Sequence, residues 1–261
     1  MVMLNLNPIK NLMEKKTETN CLINLDLSEN TINGYRTVKP FPHIFINNFV
    51  TDLNLLDEII DEYESYQYWG FDESEYSKNH QVKKYFSPWC DANVKDIPKS
   101  TKKLIDHLNS DTVLKKLETL TGIQGLMADP MLEGGGMHRI DSGGKLSVHA
   151  DYNKHPRNPW YRRINLLIYL NKNWQDSWGG DLQLWNEDMT VMEKSSPPTY
   201  NTCVIFNTTP TAYHGHPHAL NSPDGISRYS IAMYYFTKDR PENEKDNSIA
   251  ATWKEIPQNK L

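Results

Sequence analysis

Short apolar segments, each a few residues long and each followed by turn residues, succeed one another in the second half of this 261-residue chain. They occupy residues 144–148, 163–170, 181–185, 202–207 and 228–236. Close spacing of this kind is typical of strands in a β-sandwich or barrel. The strand-rich half therefore predicts two layers of sheet around one core.

Helices are predicted before these strands. Apolar residues recur at helical spacing in 53–66, where Thr51 or Asp52 provides the cap, and again in 99–120, with an interruption near 109–110. We expect these helices to pack against one face of the sheet.

Three further elements are predicted from local composition. A short helix fits residues 8–16, and a first strand fits the apolar run that ends at Ile46. Residues 70–98 are polar, aromatic and without a period, which predicts a long loop that acts as a lid over a site.

Composition excludes several partners. A formal charge of −5 offers no bulk attraction for a polyanion, so we expect no nucleic-acid partner. No apolar stretch approaches the ~18 residues of a membrane span, so no membrane partner is expected. Cys21, Cys90 and Cys203 are widely spaced, which predicts reduced thiols and a cytoplasmic location.

Histidines cluster in the strand-rich half, where six of the nine lie between His138 and His218. His149 and Asp151 are two residues apart, so on a strand both side chains point to the same side. The segment 212–218 holds three more histidines and can fold back toward this pair. Each of the three is a candidate for a third ligand.

Two histidines and one carboxylate on one face of an octahedron leave three positions open, which is the arrangement of non-haem Fe(II) oxygenases. Structural zinc would prefer four closed ligands, and no cysteine is near. A bare His-x-Asp pair also occurs by chance on surfaces and in polar parts of cores, so the surrounding sequence has to decide.

Six ordered blocks resemble the catalytic domain of prolyl 4-hydroxylase-like Fe(II)/2-oxoglutarate-dependent oxygenases. The resemblance spans roughly residues 39–238 and is densest after Gly134. The blocks are GGGMHRI (134–140), GGKLSVHADYN (143–153), RRINLLIYLN (162–171), WGGDLQLW (178–185), YHGHP (213–217) and RYSIAMYYF (228–236).

The resemblance implies an α+β, mainly β fold: a double-stranded β-helix, or jelly-roll, core with N-terminal helices buttressing one sheet. The oxygenase domain would occupy residues 38–240, between an N-terminal extension, 1–37, and a C-terminal tail, 241–261.

The same resemblance implies a ligand set. The family's metal positions fall on His149, Asp151 and His214, and its binding residues for the far carboxylate of 2-oxoglutarate fall on Arg228 and Tyr169. A guanidinium suits this task in its own right, because it is a planar, permanently charged fork. His138 falls where the family often touches 2-oxoglutarate or product, although a structural role fits it equally well.

Fourteen positions separate His214 from Arg228, a longer interval than in the compact animal prolyl hydroxylases. His216 and His218 are therefore either neighbours of the site or exposed loop residues, and the loop interpretation is favoured. His155 is expected near the substrate.

The implied reaction hydroxylates a C–H bond while O₂ oxidises 2-oxoglutarate to succinate and CO₂, with Fe(II) as cofactor and ascorbate as an optional reductant. A proline-containing peptide or protein is the preferred substrate. A small molecule or glycan is the alternative. A non-catalytic sandwich that binds a partner is an alternative of another class, and it would be expected to have lost a ligand or the arginine.

We expect the substrate to enter between the lid and the loop 152–162. Aromatic and basic side chains in these two segments are the predicted substrate wall. They are Tyr76, Tyr85, Trp89, Arg157, Trp160 and Tyr161.

Overall fold

The structure is a computed structural model that describes residues 21–71, 74, 78–87 and 98–256. Within these residues the chain forms four α-helices and twelve strands. The helices are α1 (Glu29–Thr37), α2 (Leu53–Ser65), α3 (Lys99–Leu108) and α4 (Asp111–Thr121). The strands are β1 (His43–Asn47), β2 (Gly70–Phe71), β3 (Gln81–Phe86), β4 (Met127–Ala128), β5 (Gly136–Ala150), β6 (Tyr161–Tyr169), β7 (Leu182–Trp185), β8 (Met192–Ser196), β9 (Thr202–Asn207), β10 (His214–His216), β11 (Arg228–Thr237) and β12 (Thr252–Trp253). The helix predicted at 8–16 lies outside the described residues.

The main strands are hydrogen-bonded in the order β1-β9-β6-β11-β5-β10-β7-β8, and neighbouring strands are antiparallel. β5 takes part in both halves of this order. Its residues 136–140 pair with β11, whereas Leu146 and His149 pair with β10. The long strand therefore passes from one sheet to the other. The predicted double-stranded β-helix core in a mainly β, α+β fold is confirmed.

Side chains alternate between two environments along the strands of the larger sheet. On β6, Leu166 and Ile168 are fully buried in the main hydrophobic core, which they share with residues of the helices. Asn165 and Tyr169 point the other way and line a cavity between the sheets. One strand therefore serves the core with one face and the cavity with the other, as the period of two requires.

Helices α2, α3 and α4 pack against the outer face of the larger sheet. Each buries an apolar stripe, and Leu56, Leu104 and Leu117 have no exposed surface. The cap predicted for α2 is present, because the Asp52 side chain accepts a hydrogen bond from the backbone N–H of Leu55. The predicted helices at 53–66 and 99–120, with the break between α3 and α4, are confirmed.

The expectation of one long loop at 70–98 is wrong for its described part. β2 and β3 lie in this segment, and β3 pairs with β5 between His138 and Leu146. The segment has a weak strand pattern of its own, since Lys83 and Lys84 interrupt it, so the contact with β5 decides its conformation. Residues 88–97 lie outside the described residues.

The ends of the described chain pack on the rest of the molecule. Ile23 and Tyr35 are buried in the main core, and the hydroxyl of Tyr35 donates to the side chain of Asn207. β12 pairs with the end of β5. The domain boundaries after residues 37 and 240 stay predictions.

Two cysteines lie in the described residues. Cys203 is buried on β9, Cys21 is half-buried, and both carry free thiols. Cys90 lies outside these residues. No helix in the described part of the chain is long and apolar enough to cross a membrane.

The close approach of β3 to β5 at Gly144 requires the absence of a side chain there. A Cβ there would lie 2.7 Å from the carbonyl oxygen of Asp141 and 2.8 Å from that of Val82. We expect Gly144→Ala to lower the free energy of unfolding by about 1–3 kcal/mol, because backbone of β3 and β5 must move apart. Urea unfolding measures this change.

Gly34→Ala is the matched control. Gly34 lies in α1, and a Cβ there meets no heavy atom within 4 Å. In a helix interior this change should stabilise by about 0.5–1 kcal/mol. Equal stabilities of the two variants would contradict the proposed close approach at Gly144.

Candidate active site

A cavity of about 340 Å³ lies between the two sheets. Its walls come from the inward faces of β5, β6, β10 and β11, and part of its rim comes from β3 and from residues 250–253. The six site residues predicted from the sequence all line this cavity: His138, His149, Asp151, Tyr169, His214 and Arg228.

Pairing of β5 with β10 brings three polar side chains together at one end of the cavity. His214 lies directly opposite His149 across the strand pair, and Asp151 follows β5 on the same side as His149. The Nε2 atoms of His149 and His214 lie 3.5 and 3.4 Å from the Asp151 carboxylate oxygens. One ligand atom from each residue lies within 4.8 Å of the other two, so the group could hold a metal ion.

Hydrogen bonds fix how the two imidazoles face the carboxylate. Nδ1 of His149 lies 2.9 Å from the carbonyl oxygen of Ser147, and Nδ1 of His214 lies 2.9 Å from that of Ala212. A carbonyl oxygen only accepts, so both Nδ1 atoms carry the proton and donate it. In the neutral rings, both Nε2 lone pairs then face the oxygens of Asp151. Such a group of electron-rich atoms favours a cation at its centre.

Burial and charge set the protonation of this group. Burial lowers the pKa of His214 to about 4, although Asp151 acts in the opposite direction. Burial alone would raise the pKa of Asp151, but Arg162, with smaller effects of His214 and His149, holds it well below its usual range. At neutral pH, His214 is uncharged and Asp151 is ionised, the states that a metal ion requires.

Arg162 and Asn165 hold the Asp151 carboxylate. Nη2 of Arg162 lies 3.1 Å from Oδ2 of Asp151, and the Asn165 amide donates to the same oxygen at 2.7 Å. Nε of Arg162 donates to the Asn165 side chain, and its guanidinium lies 3.4 Å from the ring centre of Tyr234. The carboxylate is therefore fixed from the β6 side before any ligand binds.

Arg228 occupies another part of the cavity. It is 5% exposed, and its guanidinium donates to the carbonyl oxygen of Gly180 and to the hydroxyl of Tyr169. Among the described residues, no carboxylate lies within ion-pair distance of it. A buried cation without an anion is costly, so this end of the cavity is suited to an anionic ligand.

Two more histidines line the cavity. Nε2 of His138 donates to the carbonyl oxygen of Gly134, and burial lowers the pKa of this ring well below its usual range. His216 is buried on β10, so the favoured prediction of an exposed loop residue is wrong for it. The same prediction is confirmed for His218, which is exposed.

The predicted substrate wall is not found in the described residues. His155 is buried, its Nε2 is 3.3 Å from Asp129, and it does not line the cavity. Trp160 packs on Phe236 and His155, and Tyr85 packs on Phe71, so these rings stabilise loops and strands instead. Tyr76 and Trp89 lie outside the described residues, while Arg157 and Tyr161 are not in the cavity lining.

Other residues line the cavity without having been predicted. Arg162 had a sequence signal, because a buried-strand pattern begins with two arginines, one of which must face inward. Lys84 had none, since β3 was expected to be a loop. Trp253 of β12 lies 4.9 Å from the His149 ring and stacks on His80, and a lone tryptophan in a charged tail was the available signal.

The cavity of this double-stranded β-helix holds two imidazoles, a carboxylate and a buried guanidinium. This combination is typical of non-haem metal-dependent oxygenases. Residues 135–236 match the sequence model of the 2OG-Fe(II) oxygenase superfamily. The matched segment includes all six predicted site residues. No curated protein sequence matches the chain.

Solved structures with a similar fold include a Trichoplax adhaerens prolyl hydroxylase in complex with a hypoxia inducible factor peptide. It is 20% identical over 80% of this chain and 88% of that chain, with a TM-score of 0.54. A Pseudomonas putida prolyl-4-hydroxylase is 15% identical over 80% and 97%, with a TM-score of 0.55. HygX from Streptomyces hygroscopicus, with nickel, 2-oxoglutarate and hygromycin B bound, is 13% identical over 86% and 97%, with a TM-score of 0.56.

Residues 135–236 thus have the sequence of a 2OG-Fe(II) oxygenase domain, and the chain is an Fe(II)- and 2-oxoglutarate-dependent dioxygenase. The predicted enzyme class is confirmed, as is the prediction of Fe(II) and 2-oxoglutarate as cofactor and co-substrate. The resemblance to prolyl hydroxylases is confirmed for the fold. At these sequence identities, the solved structures support the fold but do not show the substrate.

The ion pair between Arg162 and Asp151 has a testable energetic consequence. In metal-free protein, Arg162→Met removes the guanidinium and should lower the free energy of unfolding by about 3–5 kcal/mol at neutral pH. The folded-state pKa of Asp151 is depressed, so the pair stabilises above the unfolded-state pKa of about 4 and this stabilisation is lost as the pH falls through the lower folded-state pKa. We expect the deficit of the variant to shrink as the pH falls.

Urea unfolding in the presence of a chelator, repeated over a pH series, measures this deficit. Arg157→Gln is the control, because the Arg157 side chain is 56% exposed in its ion pair with Glu133. This substitution should change the free energy of unfolding by no more than about 1 kcal/mol. An Arg162→Met deficit that is small, or that does not change with pH, would contradict this account of the pair.

Proposed function

We propose that His149, Asp151 and His214 bind Fe(II), and that Arg228 and Tyr169 bind the far carboxylate of 2-oxoglutarate. The orientation of the imidazoles carries this proposal. Both Nδ1–H groups are used by backbone carbonyls, so both Nε2 lone pairs are directed at the carboxylate. A cation among these three atoms satisfies all of them.

The donor set fits ferrous iron. It offers two nitrogen ligands and one oxygen ligand and leaves coordination positions open, whereas a structural zinc site would use four ligands. Bound Fe(II) supplies O₂ activation, with oxidation of 2-oxoglutarate to succinate and CO₂ and transfer of one oxygen atom into a C–H bond.

The residues of the chain position the reactants. Arg228 is itself held by Gly180 and Tyr169, so it presents its remaining N–H groups in a fixed direction. Arg162 prevents the Asp151 carboxylate from rotating. Apolar Leu167 and Leu182 line the cavity and limit the access of water to it.

His138 is proposed to contact substrate or product. Its Nε2–H donates to the carbonyl oxygen of Gly134, which leaves Nδ1 as an acceptor in the neutral ring. An acceptor suits a hydroxyl or an amide N–H better than a carboxylate.

Anaerobic addition of Fe(II) and 2-oxoglutarate to the protein should produce a weak visible charge-transfer band. We expect His149→Ala and His214→Ala to abolish the band, because each removes one of three ligands. Absorption spectroscopy of the anaerobic samples measures it.

His218→Ala is the matched control from the same histidine-rich segment, because His218 is exposed and outside the cavity lining. Its band should equal that of wild type. Loss of the band in His218→Ala with retention in His214→Ala would refute the assignment of His214.

For the substrate, we propose a peptidyl proline. Tyr152, Tyr234 and Trp253 line the cavity and contribute aromatic surface against which a saturated apolar ring can pack. Similar folds in the Trichoplax and Pseudomonas prolyl hydroxylases support the proposal.

A small-molecule or glycan hydroxylase is the second candidate. Residues 250–253 form part of the cavity rim, and β12 is held to β5 by strand pairing, which narrows the approach for a long peptide. A similar fold in HygX, a structure that holds hygromycin B, supports this candidate.

Turnover with each substrate class separates the two candidates. With Fe(II), 2-oxoglutarate and O₂, proline-containing peptides should raise succinate release above the substrate-free rate and gain the mass of one oxygen atom. Peptides of the same sequence with alanine in place of proline should do neither. Stimulation by aminoglycosides or free amino acids, but by no peptide, would favour the second candidate.

A further inference from the structure

His216 is an exception among the buried histidines of the described chain. It is 2% exposed and lines the cavity, and neither ring nitrogen has a hydrogen-bond partner among the described residues. The other buried histidines each have a backbone or carboxylate partner: His43, His138, His149, His155 and His214. Buried polar groups are almost always paired. The ring nitrogens of His216 are therefore available to a ligand that binds in the cavity.

The position of His216 limits which part of a ligand it can reach. It follows His214 by two residues on β10, so the two side chains share the inward face about 7 Å apart along the strand. His214 is opposite His149, whereas His216 is opposite Leu146, farther from the metal group. His216 therefore lies beside a ligand that extends away from the metal.

The surroundings of His216 favour an anion. Arg228, Lys84 and His149 are the charged and titratable groups that act on it, and none of them is an anion. The part of the ligand nearest to His216 also lies near Arg228, whose guanidinium only donates hydrogen bonds. This part of the ligand must therefore be a hydrogen-bond acceptor. Every protonation state of an imidazole has at least one N–H to donate.

We propose that His216 is a 2-oxoglutarate-binding residue, which donates a hydrogen bond to the same carboxylate that Arg228 binds. This inference rests on the proposed function of the cavity. It adds a second donor, on the opposite sheet from β11, so that the carboxylate is held from both sides.

Two variants at this position test the donated hydrogen bond. His216→Leu keeps a similar volume and removes both nitrogens, and it should weaken 2-oxoglutarate binding roughly 10-fold to 100-fold, as expected for a hydrogen bond to a charged group. His216→Gln keeps a donor and should bind within a few-fold of wild type. Calorimetric titration of 2-oxoglutarate into the Ni(II)-loaded protein measures these affinities without turnover.

A comparison ligand locates the contact. 2-Oxobutyrate has the keto-acid end of 2-oxoglutarate but lacks the far carboxylate. His216→Leu should leave its affinity unchanged, because His216 does not reach the end that binds the metal. Equal losses for both ligands would place His216 at the metal end and overturn the proposal.

Stability of the ligand-free protein separates binding from a structural role. Removing an unpaired buried polar group costs nothing, so His216→Leu should melt at or above the temperature of wild type, with unchanged Ni(II) affinity. A lower melting temperature, an unchanged affinity for 2-oxoglutarate, or equal losses in the Leu and Gln variants would each overturn the proposal. If wild type itself binds no 2-oxoglutarate, the proposed function fails, and this inference fails with it.

Discussion

The antiparallel register between β5 and β10 is the constraint on which the site depends. It places His149 opposite His214, and it directs Asp151 to the same side. A slip of one residue would turn each strand's side chains to the other face, so the cluster exists in one register only. Backbone carbonyls two residues before each histidine then orient the rings.

The buried charges of the cavity form two groups, one suited to a cation and one suited to an anionic ligand. Arg162 balances the negative charge of Asp151, but the two imidazole lone pairs that face the carboxylate still favour a cation between them. Arg228 has polar partners without an anion among the described residues, and His216 has an unused N–H. A cation and a carboxylate ligand together would satisfy these groups, in agreement with the proposed binding of Fe(II) and 2-oxoglutarate.

The larger sheet connects this chemistry to the stability of the fold. β6 and β11 present apolar side chains such as Leu166 and Ile231 to the helices, and polar ones such as Asn165 and Arg228 to the cavity. The helices thus fix the backbone that carries the polar groups. Because packed cores resist small displacements, the polar groups are held in place without ligands.

Local pattern in the sequence predicted α2, α3, α4 and the main strands, because helical and strand periods are properties of consecutive residues. Resemblance in ordered blocks predicted six of the residues that line the cavity. It did not predict β3, because this strand pairs with β5, which lies some sixty residues later in the chain. The position of His155 in the loop after Asp151 placed it near the substrate, whereas a distant partner, Asp129, holds that ring outside the cavity.

By itself, the sequence determined the strand-rich class of fold and the chemistry of its histidine and carboxylate residues, and it predicted Arg228 as the basic residue for a dicarboxylate. Only the tertiary structure decided which side chains are buried and which of them contact one another. His216 and His218 are two residues apart, yet one is buried and the other is exposed, because β10 ends between them. Arg162 likewise became a partner of Asp151 through the packing of β6 beside the end of β5. Such contacts depend on how the strands pack against one another, so local sequence pattern does not specify which residues become partners.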